Sequence, residues 1–160
     1  MTTDPSADGT ATHADEALEG EAARVWNVLT DLYEAFLAGD RQRLEAHLDE
    51  GCTMWDSTIP ALRTKADLQA GRGGGDNDPG YPSPVGLEAS EPVVGLLADD
   101  AAWETHVLTA RFPDPSLDEV LRCTSVLRRD GGGTWRVVHH HEELLTGPGR
   151  PAPSRRLADA

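Results

Sequence analysis

Between Glu119 and Leu145 the chain reads EVLRCTSVLRRDGGGTWRVVHHHEELL. Two runs rich in Val, Leu, Thr and Trp flank Asp130-Gly131-Gly132-Gly133, whose glycines can take the positive φ angles that a tight reversal demands. This is the pattern of a β-hairpin, and its second arm ends in three histidines and two glutamates. Alternate side chains of a strand leave by opposite faces. His139 and His141 therefore share one face, and His140 and Glu142 share the other with Val138. Whichever face is enclosed holds imidazole.

Upstream, residues 1–16 have scarcely an apolar side chain to bury, and ordering them would cost entropy with no return, so a disordered acidic tail is expected. From Ala17 the pattern changes. Leu18, Ala22, Val25, Trp26, Leu29, Leu32, Tyr33, Phe36 and Leu37 recur at three- and four-residue steps, which predicts a long helix with one broad apolar stripe. Gly39 stops it. Asp40 can cap a second short helix, in which Leu44 and Leu48 share a face before Gly51. Cys52 to Ser57 read as a strand with Cys52, Met54 and Asp56 on one face and Thr53, Trp55 and Ser57 on the other. Thr64 is a candidate cap for a third helix from Lys65 to about Ala70. From Gly71 to Pro84, Gly, Pro, Asp and Asn dominate, and a loop at the rim of the domain is expected.

Val85 to Leu97 and Ala101 to Phe112 are strand-like, and the hairpin follows Pro113-Asp114-Pro115. Four successive antiparallel strands after a block of helices describe an α+β domain spanning 17–146. In it a curved antiparallel sheet forms a cone-shaped half-barrel over the long first helix and two short ones. The tail from Gly147 has no periodicity and is expected to be unstructured.

A length of 160 residues with 38% apolar side chains suits one domain with a real core. The net charge of −14 argues against nucleic acid or an anionic membrane as partner, since both need clustered Lys and Arg. No run approaches a membrane span and no secretory leader is visible, so a cytoplasmic location is expected. Cys52 and Cys123 fall in predicted strands and read as buried thiols. Neither a phosphate-binding loop, a dinucleotide fingerprint, paired-cysteine zinc spacing nor a nucleophile elbow is present.

What remains is a set of single ionisable groups: Asp56, His106, Arg122, His139, His140, His141, Glu142 and Glu143. At most two imidazoles from one strand face could reach one metal ion, with His106 and Asp56 as further donors. The competing reading is a His pair packed at a sheet or subunit contact, which suits His139 and His141. No metal and no organic cofactor are expected. Arg122 can pair across the ladder with an acid such as Glu104.

The order of elements, with LYEAFLAGDRQRLEAHLDEGCTMWDS and later RCTSVLRRDGGGTWRVVHHH, resembles the nuclear transport factor 2-like superfamily. The likeness is to its SnoaL-like branch, which includes the association domain of calcium/calmodulin-dependent protein kinases. Gly39-Asp40, Trp55-Asp56, Arg122, Thr124, Trp135, Val138, His139 and His141 carry it. The resemblance implies a cystatin-like cone. By similarity to its steroid isomerase members, it also implies that Asp56 is a general base walled by Met54 and Cys52. His140 and Glu142 would polarise or protonate a substrate oxygen, and Arg122 would hold an anionic group. Asp56 and His140 are thus the expected catalytic residues, and Trp55, Arg122, Glu142 and His106 the expected ligand contacts. Two functions are compatible with this: a cofactor-independent acid-base enzyme acting on a small, partly apolar metabolite, or a non-catalytic ligand-binding or oligomerisation module, in either case as a homodimer.

Overall fold

The apolar recurrence between Leu18 and Leu37 becomes helix α1 (Gly20–Leu37) in the computed structural model, which describes residues 18–57, 59–70 and 82–147. The expected tail at 1–16, most of the 71–84 loop and the segment beyond Gly147 lie outside these residues. Val25, Leu29, Tyr33 and Ala35 are buried, while Phe36 and Leu37 at the helix end are exposed. The stripe stops before the helix does. Gly39 follows at φ +67, the left-handed conformation that lets Asp40 N–H reach back to the Ala35 carbonyl at 2.9 Å. Asp40 then caps α2 (Arg41–Ala46) by accepting the Arg43 N–H at 3.0 Å.

The first strand corrects the sequence reading. Leu48 does not continue a helix face from Leu44, and Gly51 ends no helix. Both lie within β1 (Leu48–Trp55). The cause is long-range: Leu48 pairs with Val137, and Val137 N–H donates to the His47 carbonyl at 2.9 Å, so sheet pairing overrides the local pattern. β2 (Arg63–Thr64) leads into α3 (Lys65–Gln69), which Thr64 and Asp67 open with reciprocal capping bonds. Then come β3 (Gly86–Ala98), β4 (Ala101–Arg111), a 3-10 turn at Pro115–Leu117, β5 (Glu119–Arg129) and β6 (Trp135–Thr146).

The six strands form one curved, unclosed sheet in the order β2-β1-β6-β5-β4-β3. The expected antiparallel meander β3 to β6 is present, and β1 joins it parallel to β6. α1 packs on the inner face. On β4, Ala102, Glu104, His106, Leu108 and Ala110 are buried, and on β5, Glu119, Leu121, Cys123, Ser125 and Leu127. Two apolar clusters result: one around Val25, Leu29, Leu127 and Val137, the other around Tyr33, Leu108, Phe112 and Leu121.

Between them β6 changes phase. Leu127 pairs with Val137 and Val126 with His139, so Val138 is one extra residue, a β-bulge. The inner face of β6 runs Trp135, Val137, then His140, Glu142 and Leu144. Val138 is therefore not the face-mate of His140 that strict alternation implies.

Candidate functional site

Cross-strand partners leave a sheet on the same side, and the register makes two polar rows on the inner face. One is Arg63, Met54, His140, Ser125 and Glu104; the next is Glu142, Cys123 and His106. The apolar trio Leu108, Leu121 and Leu144 follows. A polar band thus lies between the two apolar clusters, with Tyr33 and Trp26 of α1 against it.

Glu104 is fully buried, and its carboxylate accepts from His106 Nδ1 at 2.9 Å. On the far side of that imidazole, Nε2 lies 2.9 Å from the Tyr33 hydroxyl. Burial first, then the charges of Cys123, Glu142 and Glu104, push the Tyr33 pKa well above its ordinary value, so the hydroxyl keeps its proton. His106 thus bridges the Glu104 carboxylate and the Tyr33 hydroxyl through its two ring nitrogens. The Trp26 ring meets His106 edge-on at 5.3 Å.

His140 lies beside this relay, its ring stacked at 6.5 Å from that of His106. Nδ1 is 2.8 Å from Ser125 Oγ, and Nε2 is 3.3 Å from Glu142 Oε1. Burial works against the His140 cation, but the Glu142 hydrogen bond and the charges of Glu142, Glu104 and Asp56 outweigh it, so the imidazole pKa is raised. Burial also works against the Glu142 carboxylate; the His140 contact and charge, the Ser57 backbone N–H and the charge of His106 outweigh that, and its pKa is lowered. Both shifts favour an imidazolium–carboxylate pair.

Asp56 lies one residue beyond β1 and close enough for its charge to act on His140. It is not the carboxylate walled only by Cys52 and Met54 that the sequence suggests. Its Oδ2 is 3.7 Å from Nη1 of Arg63, a buried guanidinium.

Asp56, His106, His140 and Glu142 are therefore brought together, and two expected ligand contacts are not. Trp55 is exposed and pairs with His141 on the outer face. Arg122 is exposed on that face too, where Glu143, not Glu104, is its partner at 2.5 Å. The even-numbered positions of β5 point away from the helices here, because Cys123 and Leu121 take the inner positions. His139 is held from outside by Thr53 Oγ1 at 2.8 Å. Sequence reasoning missed Glu104, Tyr33, Ser125, Cys123 and Arg63. One signal was available: Glu104 and His106 sit two residues apart inside a run of alternating apolar positions on β4.

Cys123, His140 and Glu142 offer donor atoms within 4.8 Å of one another. The set suits a metal poorly. Burial pushes the Cys123 thiol up, away from the thiolate a metal needs, and His140 and Glu142 already satisfy each other. Separately, a cavity of about 420 Å³ opens beside α1, lined by Arg24, Asn27, Asp31, Glu34 and His47 among others. No residue of the polar band lines it. Both cysteines are free thiols.

A family model for the SnoaL-like domain matches residues 25–144, which spans α1 through β6 and the whole polar band. The chain belongs to the SnoaL-like family. This SnoaL-like domain also has the fold of the nuclear transport factor 2-like superfamily. A proposed calcium/calmodulin-dependent protein kinase II association domain from Xanthomonas campestris superposes with a TM-score of 0.67 at 20% identity, covering 81% of this chain and 93% of that one. A nuclear transport factor 2-like protein of unknown function from Pseudomonas putida gives 0.66 at 20% identity, covering 83% and 94%. A proposed scytalone dehydratase from Novosphingobium aromaticivorans gives 0.63 at 13% identity, covering 82% and 90%. At these identities the likeness is one of fold. No curated protein is significantly similar in sequence. Among the described residues no helix is long and apolar enough to cross a membrane.

Proposed function

We propose that this SnoaL-like domain binds a small, partly apolar molecule against the inner face of its sheet. It then moves a proton on that molecule without an organic cofactor, as an isomerase, dehydratase or cyclase would. The observation that carries the reading is His140, held on that face by Ser125 and Glu142 with its protonated form favoured. His140 is the proton donor to a substrate oxygen and Asp56 the acceptor of a carbon-bound proton. Glu142 and Ser125 orient the imidazole. Glu104, His106 and Tyr33 form the fixed polar wall behind it. The free thiols suit a reducing compartment such as the cytoplasm.

The test is solvent-deuterium exchange into a panel of carbon acids. Asp56→Asn and His140→Gln should each slow exchange by about 10²- to 10⁴-fold. Full activity in both variants would sink the reading.

A second reading has its own observation. Among the described residues no helix covers the outer face, which exposes Trp55 and Leu145, and one similar fold is described as an association domain. Homodimerisation through that face is compatible with the chemistry inside. Light scattering that returned only monomer at micromolar concentration would remove it.

A further inference from the structure

Arg63 opens the first polar row, in register with Met54, which is itself in register with His140. Its guanidinium therefore leaves the sheet on the same side as the proposed acid-base pair. The residue is 5% exposed. Nη1 faces Asp56 at 3.7 Å, but Nε and Nη2 are buried and find no hydrogen-bond partner among the described residues. Those two atoms are not a random pair. In a planar guanidinium Nε–H and one Nη2–H run parallel along a single edge, the fork that donates to both oxygens of a carboxylate. Burying a cation with that edge unmet is costly, and evolution retains such cost chiefly where a ligand relieves it.

We propose that Arg63 anchors the carboxylate of an anionic ligand through its Nε/Nη2 edge, so that the substrate of this domain is a carboxylic acid with an apolar body. The proposal rests on the reading of the inner face as the ligand site and names the class of ligand. Charge selects a monoanion: Asp56, Glu142 and Glu104 already face Arg63 and His140 across this band, so a second negative charge on the ligand would meet more carboxylates than cations. Met54 and Trp26, packed at the edge of the apolar core, suit the ligand's hydrocarbon part. Asp56 and the bound carboxylate would share one guanidinium.

The experiment uses the full chain with benzoate, its neutral isostere benzamide and phenyl phosphate. The Arg63 Nε–H resonance is followed by proton–nitrogen NMR, and affinities are measured by calorimetry. Benzoate is expected to shift that resonance at millimolar concentration and to bind roughly 10- to 100-fold tighter than benzamide. Arg63→Gln should erase the preference, and Arg63→Lys, which keeps the charge without the fork, should lose most of it. An unmoved Nε–H resonance, equal affinities, or a preference surviving in either variant overturns the anchor. Tighter binding of phenyl phosphate overturns the commitment to a carboxylate. The resonance is read in the unmodified protein, so a variant that fails to fold does not shield the claim. Selective benzoate binding without exchange activity would keep the anchor and remove the chemistry. Exchange without selectivity would do the reverse.

Discussion

The Tyr33 hydroxyl lies 2.9 Å from His106 Nε2, and this bond ties α1 to the polar band of the sheet. Tyr33→Phe keeps the ring in its apolar cluster but removes the hydroxyl, leaving a buried imidazole nitrogen unmet. A loss of about 1–3 kcal/mol in unfolding free energy is expected, measured by urea denaturation. An unchanged midpoint would mean that Nε2 does not depend on Tyr33.

The His140 and Glu142 shifts have opposite consequences for pH. His140 has a raised pKa, so its contribution to stability is complete below the ordinary value of 6.5 and is lost as pH rises through the higher folded value. Glu142 has a lowered pKa, so its contribution is complete above 4.5 and is lost as pH falls through the lower folded value. The pair stabilises most between those two ordinary values. In Glu142→Gln the His140 pKa should fall, followed by NMR of its ring protons across pH. If it stays where it was, the pairing is not what raises it.

Gly95 pairs with Trp103, and a Cβ at Gly95 would stand 2.3 Å from the indole Nε1. The indole lies across the bare backbone of its neighbour. Gly95→Ala should cost about 1–3 kcal/mol by overpacking, seen as a lower melting temperature. The double variant with Trp103→Leu should recover part of it. A neutral Gly95→Ala would show that the ring simply swings away.

Asp31 accepts from Arg43 and, next in weight, from His47, and its pKa is held down from 3.8 to about 2. Its contribution is therefore complete above 3.8 and disappears as pH falls through about 2. Acid unfolding followed by circular dichroism should be shallower over that interval in Asp31→Asn than in the parent. Superimposable curves would show that solvent already screens the contact.

The hairpin, the long helix and the α+β order were legible because each rests on a local period or a local turn. Asp40 and Thr64 were legible as caps for the same reason. The start of β1 was not, because Leu48 becomes a strand residue only through Val137, far along the chain. The phase of β6 was hidden by the single extra residue at Val138. Without that bulge, Trp135 and Val137 would carry His139 and His141 inward and turn His140 out. Strict alternation paired His140 with the wrong valine and still set it apart from His139. Arg63 was invisible as a site residue, since a two-residue strand has no period, and its neighbours Met54 and His140 are set by pairing alone. Arg122 looked like the natural guanidinium for an anion because it lies in the readable hairpin, yet its register turns it outward to Glu143.

The parallel joint between β1 and β6 also governs when the site can exist. Thr53 and His139 meet across it from 86 residues apart, and that closure brings Arg63 and Asp56 to His140 and Glu142. Long-range closure of this kind is slow compared with forming a hairpin. A chain still leaving the ribosome can pair β3 with β4, but its polar band stays open until the last strand is free to receive the first.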